Sequence, residues 1–539
     1  VATTTGQDWV ARVTDEVISE GERRNPGKPV VVASGISPSG PIHLGNLREI
    51  MVPHLVADEV RLRDHACEHI LSWDDYDRLR KVPAGVPEEF AEHIGRPLTS
   101  VPDPWGEYPN WAERFKAPLR ASLAALGVEV REISQTEMYT SGAYIEQILH
   151  AMTERERINE VLSRYRTKEA PQSEVDYYPY KPYCHECGRD TTTVVAFDAT
   201  AATVDYTCEC GHKGTVDLRT ANSGKLVWKV DWPMRWSYER VTFEGGGVDH
   251  SSPGSSFTVG SQLVREVFDW EPPVYQGYSF VGIKGAAKMS SSAGAVPTAA
   301  DALHVLEAPV LRWLYTRRKP EQSFTIDLGP EVVRLYDEWD RVKVKVEAGA
   351  TDPWEKVVLD RATRAGLSPL PEPHRTVSFR LLAAAHDITA SDPTQLARIL
   401  HDVDPSLTLA DTEPRLTLAA NWLRDNAPAE ERTTVRTEPA PELSTLDDES
   451  AASLTLLLDL LDTNWSLDGL TTIVYGVPKL RNGHTLEDKP DDTVKAAQKK
   501  FFTLLYHLLV AAERGPRLPT LLLSIGQDRV RTLLAPQQG

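Results

Sequence analysis

The first regular pattern in the chain is an apolar run at residues 30–33, Val-Val-Val-Ala, whose β-branched content predicts a strand. Turn-forming residues follow in SGISPSG, and then Leu44, Leu47, Ile50, Met51, Leu55 and Val60 recur at helical spacing. A second buried strand is predicted over HILSW (69–73), ending in the acidic DDYD. Strand, short loop, helix and strand in that order predict a parallel α/β sheet, with ligands beyond the carboxyl ends of the strands. The pattern breaks in the Pro- and Trp-rich segment 97–111 and becomes turn-rich and cysteine-bearing from about 175 to 220. Strand-like text returns with KLVWKVDW and runs through EPPVYQGYSFVGI. After residue 300 the character is helical, as in DALHVLEAPVLRWLYTRR and EVVRLYDEWDRVKVKV. A loop is expected at 433–450, and a last long helix at about 491–513, capped by Asp491 and Asp492 and stopped by RGP. Internal repeats are absent.

These patterns predict an α/β parallel-sheet domain carrying a small insertion, followed by an all-α C-terminal half. At 539 residues the chain is too long for one core, and about three or four domains are expected. The predicted divisions are 1–174 and 221–300 for the two halves of the sheet domain, 175–220 for the insertion, 301–370 for a helical region and 371–539 for an α-helical domain. Hydrophobic content of 41% and charged content of 25% are ordinary for a soluble protein. The beginning, VATTTGQDWVARVTDEV, has neither the basic nor the apolar block of a signal peptide, and FFTLLYHLLVAA is too short to span a bilayer. A cytoplasmic protein with no membrane partner is expected. The formal net charge of −19 argues against a broad non-specific nucleic-acid surface, although a local basic track remains compatible with it.

Chemistry concentrates at three places. The stretch VVVASGISPSGPIHLGNLREIM lacks both the dinucleotide fingerprint and the P-loop, yet it sets Ser37, Ser39, His43 and Asn46 around a helix start. Free N–H groups and the helix dipole favour an anion there, and His43 and Asn46, three apart, can donate to the same oxyanion. The alternative is that Ser39 caps the helix and His43 is a satisfied surface group. The second place, VGIKGAAKMSSSAG, gathers Lys284, Lys288 and Ser290 to Ser292 between glycines, which suits a leaving polyphosphate or a solvated loop. The third is the cysteine set. Of five cysteines, Cys67 stands alone, and Cys184, Cys187, Cys208 and Cys210 are spaced C-x2-C, twenty residues, C-x-C. Four thiolates around one structural Zn²⁺ are the simplest assignment; His185 or His212 could replace a cysteine, or the pairs could be reduced and metal-free.

PIHLGN and KMSSS resemble the two signatures of class I aminoacyl-tRNA synthetases. With SWDDYDRLRKVP, WPMRW, GVDHSSPGSSFTVG and ERGPRLPTLL, the chain resembles class I lysyl-tRNA synthetases, which are similar in architecture to the glutamyl enzymes, from about Val30 to Leu534. The resemblance implies that His43 and Asn46 contact ATP phosphates, with Asn46 in place of the last signature histidine. Gly245 to Gly247, Asp249 and His250 would line the adenosine side, and Lys288, Ser290 and Ser291 would hold the pyrophosphate. Ser291 stands where most class I enzymes carry a second lysine, so Lys288, with Lys284 and Mg²⁺, must compensate for that charge.

For lysine the resemblance points to Gly35 and Ser37 from the opening loop, Asp74 against the α-amino group, and Trp228, Asp231, His250 and Tyr278 in the pocket. Each has a structural alternative: Asp74 as a helix cap, Trp228 and Tyr278 as core aromatics. Some relatives hold a second zinc near residue 103; here Asp103 is accompanied by Glu107, Tyr108 and Arg114, with no thiol or imidazole, so one zinc is expected, with Trp105 and Trp111 packing the loop. The resemblance implies a Rossmann-type catalytic domain, ATP, L-lysine and tRNA(Lys) as partners, a monomer, attack by the 2′-hydroxyl, and activation that requires bound tRNA. It also implies that the helical region 301–370 contacts the tRNA stem and that 371–539 is an α-helical anticodon-binding domain that clasps the stem-loop. Two rivals share parts of this pattern: a ligase that adenylates lysine without charging tRNA, and a tRNA-binding paralogue without catalysis.

Overall fold

The computed structural model describes residues 8–83, 85–165, 177–220, 223–248, 255–284, 296–366, 368–428 and 432–535. In chain order the strands are β1 (Val30–Ile36), β2 (Cys67–Trp73), β3 (Arg131–Ser134), β4 (Tyr180–Pro182), β5 (Thr192–Asp198), β6 (Thr203–Cys208), β7 (Lys213–Asp217), β8 (Gly224–Leu226), β9 (Phe243–Gly247) and β10 (Val274–Tyr278). Five form one sheet in the order β10-β9-β1-β2-β3. Every pair in it is parallel, with Val30 opposite Cys67 and Ile36 opposite Trp73 across β1 and β2. The chain steps outward from β1 to β3 and later returns to the other side of β1. The crevice of a doubly wound sheet opens at such a reversal, beyond the carboxyl ends of β1 and β9.

Both faces of this sheet are covered, which is why residues 30–33 are apolar without alternation. Val30 and Val32 pack with Val10, Val13 and Val17 of the helix Trp9–Arg24 and with Val52, Leu55 and Val56 of the helix Leu44–Leu62. Val31 and Ala33 point to the opposite cluster, which contains Ile70, Ile133, Val230, Trp236 and Leu263. The helix Leu44–Leu62 is enclosed on nearly all sides, so Arg48, His54 and Asp58 are buried along with its apolar residues.

KLVWKVDW departs from the strand expectation. β8 stops at Leu226, and the helix Trp228–Tyr238 begins two residues later. Trp228, Trp232 and Trp236 recur every four residues, a helical spacing. The Trp228 and Trp232 rings stack at a centroid distance of 5.3 Å, and the Trp236 ring tilts against Trp232 at 4.8 Å, contacts that this spacing makes on one helix face. The predicted strands at 69–73 and in VYQGYSFVGI are present, the latter as β10 and a short strand Val281–Lys284.

The insertion is a three-stranded antiparallel sheet, β5-β6-β7, beside the β4–β8 pair. Val204, Tyr206, Val216 and Leu218 of this region join the same hydrophobic cluster as Val31 and Ile70.

Packing divides the chain into two compact units. One comprises residues 1–303, 308–326 and 348–370; the other comprises 304–307, 327–347 and 371–539. The second is helical, and Tyr336 stacks on Phe379 at 4.3 Å in its core. Arg415, buried there, donates to Glu307 and to both oxygens of Asp340. The last long helix runs Asp492–Val510, capped by Asp491, whose carboxylate accepts from Val494 N–H. It ends three residues before the expected stop, at Ala511 in the left-handed region.

Candidate active site

A cavity of about 850 Å³ occupies the crevice beyond β1 and β9. Gly35, Ser37, Ser39, His43 and Asn46 line it from the opening loop and helix start, Asp74 from the end of β2, and Trp228 from the tryptophan helix. The structure thus brings together the first signature and one side of the expected lysine pocket. Asp231 and Tyr278 are not in the lining. Asp231 is wholly buried behind it, and Tyr278 is buried at the end of β10 among residues of the Leu44–Leu62 helix. Gly247 ends β9 opposite Tyr278. Asp249, His250, Lys288, Ser290 and Ser291 lie outside the described residues.

The helix start is capped by His43 rather than by Ser39, which corrects the capping alternative. His43 N–H donates to Asn46 Oδ1 at 3.3 Å, and Leu44 N–H donates to Pro297 O at 2.9 Å. The His43 ring is half-buried, which lowers its pKa and keeps it neutral at pH 7; its Nδ1 is buried without a partner. A neutral imidazole and an amide at a helix N-terminus offer hydrogen bonds to phosphate oxygens without the cost of desolvating a fixed cation. Arg48, one turn further on, fixes this helix by donating to Ser279 O (2.7 Å), Gln322 O (3.0 Å) and Lys319 O (3.0 Å).

The acidic side of the cavity is organised by Arg235. Its Nη1 donates to Asp74 Oδ1 at 2.6 Å, its Nε to Asp231 Oδ1 at 3.1 Å, and its Nη2 to Asp231 Oδ2. Tyr139 Oη also donates to Asp231, at 2.7 Å. Burial raises the pKa of Asp74 against the opposing pull of Arg235. Asp77, also in the lining, is paired with Lys225. Arg235 is therefore neutralised by protein carboxylates and is not available to bind an acidic substrate. The lining also includes Glu244 of β9, whose Oε1 accepts from Trp232 Nε1 at 3.1 Å and whose Oε2 accepts from Trp236 Nε1. Burial raises its pKa to about 7 despite these two donors.

Arg235, Asp77 and Glu244 were not singled out by sequence. Glu244 directly precedes the glycine run and Arg235 lies within WPMRW, but their partners are distant in the chain: Arg235 and Asp74 are 161 residues apart. The glycines themselves have a steric reason. A Cβ on Gly246 would lie 2.0 Å from the Tyr275 hydroxyl, and one on Gly245 would lie 3.4 Å from Val52 and 3.5 Å from Tyr278.

In the insertion, the Sγ atoms of Cys184, Cys187, Cys208 and Cys210 all lie within 4.8 Å of one another. The Cys184–Cys210 and Cys187–Cys208 separations are 3.7 Å, close to the edge of about 3.8 Å for a tetrahedron with Zn–S bonds of about 2.3 Å. Four thiols in this arrangement could hold a metal ion. Gly188, with φ +70°, makes the turn that returns the chain after the first pair. In the Pro- and Trp-rich segment, Asp103 accepts from the N–H groups of Glu107 (2.7 Å) and Tyr108 (2.8 Å) and pairs with Arg114, whose guanidinium lies over Trp105.

Among the described residues no helix is long and apolar enough to cross a membrane. The family model for class I tRNA synthetases (K) matches residues 7–363. A lysine–tRNA ligase of Streptomyces coelicolor is 54% identical, over 98% of this chain and 98% of its own. One from Pyrococcus horikoshii is 35% identical, over 97% and 98%. A solved glutamate tRNA ligase from Elizabethkingia meningosepticum aligns with 94% of this chain and 98% of its own at 13% identity, with a TM-score of 0.41, too low to carry an argument. The matched signatures, the doubly wound sheet that presents the first of them, and identity across the full length make this chain a member of the class I tRNA synthetases (K).

Proposed function

We propose that the chain is a lysine–tRNA ligase that activates L-lysine with ATP and transfers it to the 3′-terminal ribose of tRNA(Lys). The observation that carries this reading is the cavity, which sets phosphate-binding donors at a helix start opposite a group of carboxylates. In the first step a lysine carboxylate oxygen bonds to the α-phosphorus, the bond to the bridging oxygen breaks, and diphosphate leaves. In the second, the 2′-hydroxyl attacks the lysyl carbonyl and AMP leaves. No protein nucleophile is required, so positioning and charge stabilisation are the protein's contribution.

His43 and Asn46 serve the phosphates, with Ser37 and Ser39 beside them. Lys288, Ser290 and Ser291 receive the diphosphate, and Gly247, Asp249 and His250 border the adenosine. Mg²⁺, when bound, offsets charge on the phosphates that the serine at 291 cannot. Asp74 takes the α-ammonium; Gly35, Trp228 and His250 shape the lysine site, and Asp231 acts through Arg235. The four cysteines hold one structural Zn²⁺.

The C-terminal half, 371–539, binds the anticodon stem-loop, and 301–370 contacts the tRNA stem. The protein works in the cytoplasm as a monomer. Incubation with ATP, labelled lysine and total tRNA, with and without nuclease, tests the reading. Nuclease-sensitive, acid-precipitable lysine is expected. Adenylate without charging, or binding without turnover, overturns it.

A further inference from the structure

The polar network of the cavity pairs Asp74, Asp77 and Asp231 with cations but gives Glu244 none among the described residues. Asp74 and Asp231 share Arg235, and Asp77 has Lys225. Glu244 touches only the neutral indole N–H groups of Trp232 and Trp236. Among the described residues no lysine, arginine or histidine is within ion-pair distance of it, although it is buried and lines the cavity. A buried carboxylate held by two fixed donors and lacking a counter-ion is unfavourable in the empty site and becomes favourable when a cation arrives. Asp74 and Glu244 belong to the same cavity, and the Asp74 charge adds to the cost of ionising Glu244, as expected of two anchors for one short dication.

We propose that Glu244 is the specificity determinant that receives the ε-ammonium of the substrate, with Asp74 receiving the α-ammonium. The proposal rests on the lysine reading above and adds the group that distinguishes lysine from an apolar chain of equal length. The tryptophans fix the carboxylate in place, while Arg235, held by Asp74 and Asp231, offers no free cation to an acidic side chain. Charged groups facing Glu244 are Arg235 from the tryptophan helix and Asp74 from the end of β2; the charged lining further includes Glu49, Asp77, Arg78, Arg80, Lys81 and Glu239.

The test compares lysinol, which carries the ε-ammonium, with norleucinol, which ends in a methyl group, as inhibitors of lysine-dependent ATP–diphosphate exchange run with tRNA(Lys) present. The comparison is made in the full-length wild-type protein, Glu244→Gln and Glu244→Asp, with KM for ATP as a second readout. In Glu244→Gln the preference for lysinol over norleucinol should fall about 10- to 100-fold, as expected for loss of a charge-assisted bond. Norleucinol inhibition and KM for ATP should stay within about twofold, and Glu244→Asp should retain part of the preference. An undiminished preference in Glu244→Gln overturns the proposal, and so does equal weakening of both inhibitors. Wild-type protein that exchanges no diphosphate with lysine would instead defeat the ligase reading itself.

If Glu244→Gln does not fold, calorimetry on the wild-type protein in buffers of different ionisation enthalpy decides. Near pH 6.5 lysinol should expel a proton that norleucinol does not; equal proton release by the two overturns the proposal.

Discussion

Replacing Arg235 by methionine removes three N–H contacts to carboxylates whose surroundings differ. The side chain of Asp231 has no exposure and is hydrogen-bonded by Arg235 and Tyr139, with Lys225, already paired with Asp77, standing 3.9 Å away. That of Asp74 retains 15% exposure and borders the cavity, where water can replace the guanidinium. Stranding the buried Asp231 charge should cost about 3–5 kcal/mol. The charge-free pair Asp231→Asn with Arg235→Met should recover part of this, with a coupling energy of about 2–3 kcal/mol. The pair Asp74→Asn with Arg235→Met should couple by less than about 1 kcal/mol, because Asp74 can be rehydrated. Urea unfolding, followed through the indole fluorescence of Trp232 and Trp236, measures both cycles. Equal coupling for the two aspartates, or strict additivity at Asp231, would refute the argument that burial rather than proximity sets the energy.

Other outcomes follow from single contacts. Gly246→Ala places a Cβ on the Tyr275 ring and should destabilise the protein by about 1–3 kcal/mol, with rescue by Tyr275→Ala, measured by thermal unfolding. Elemental analysis should find one zinc per chain, lost in Cys208→Ser together with protease resistance of the insertion. His54 and His69 are fully buried, and burial holds both well below the usual histidine pKa of 6.5. The unfolded chain binds protons that the folded one refuses, so their contribution is present above pH 6.5 and lost as pH falls below it. His54→Asn should flatten that acid limb by up to about 1.4 kcal/mol per pH unit in pH-dependent unfolding. Arg48→Lys keeps the charge but can serve only part of the three carbonyls, and should lower kcat/KM for ATP about tenfold in diphosphate exchange.

What the sequence determined by itself was everything governed by neighbours a few residues apart. Strand and helix periods placed β1, β2 and the helix that follows the first signature, and aspartate caps placed the last long helix. The spacing of the four cysteines predicted a cluster that the fold brings together. The tryptophan helix was missed because its β-branched and aromatic residues carry strand propensity, while the four-residue recurrence that identifies it is satisfied only once the rings stack.

Tertiary structure alone decided which polar groups are buried and with whom. Arg48, His54 and Asp58 look like the solvent face of an amphipathic helix, yet they are enclosed because that helix packs against the sheet on one side and later segments of the same unit on the other. The same holds in the cavity, where Asp74, Arg235 and Glu244 come from three separate parts of the chain. Their pairing, and hence which carboxylate is left for a substrate cation, depends on three-dimensional distance and desolvation. Neither quantity is written in local order, because electrostatic energy follows separation in space and access to water, whatever the number of residues between the charges.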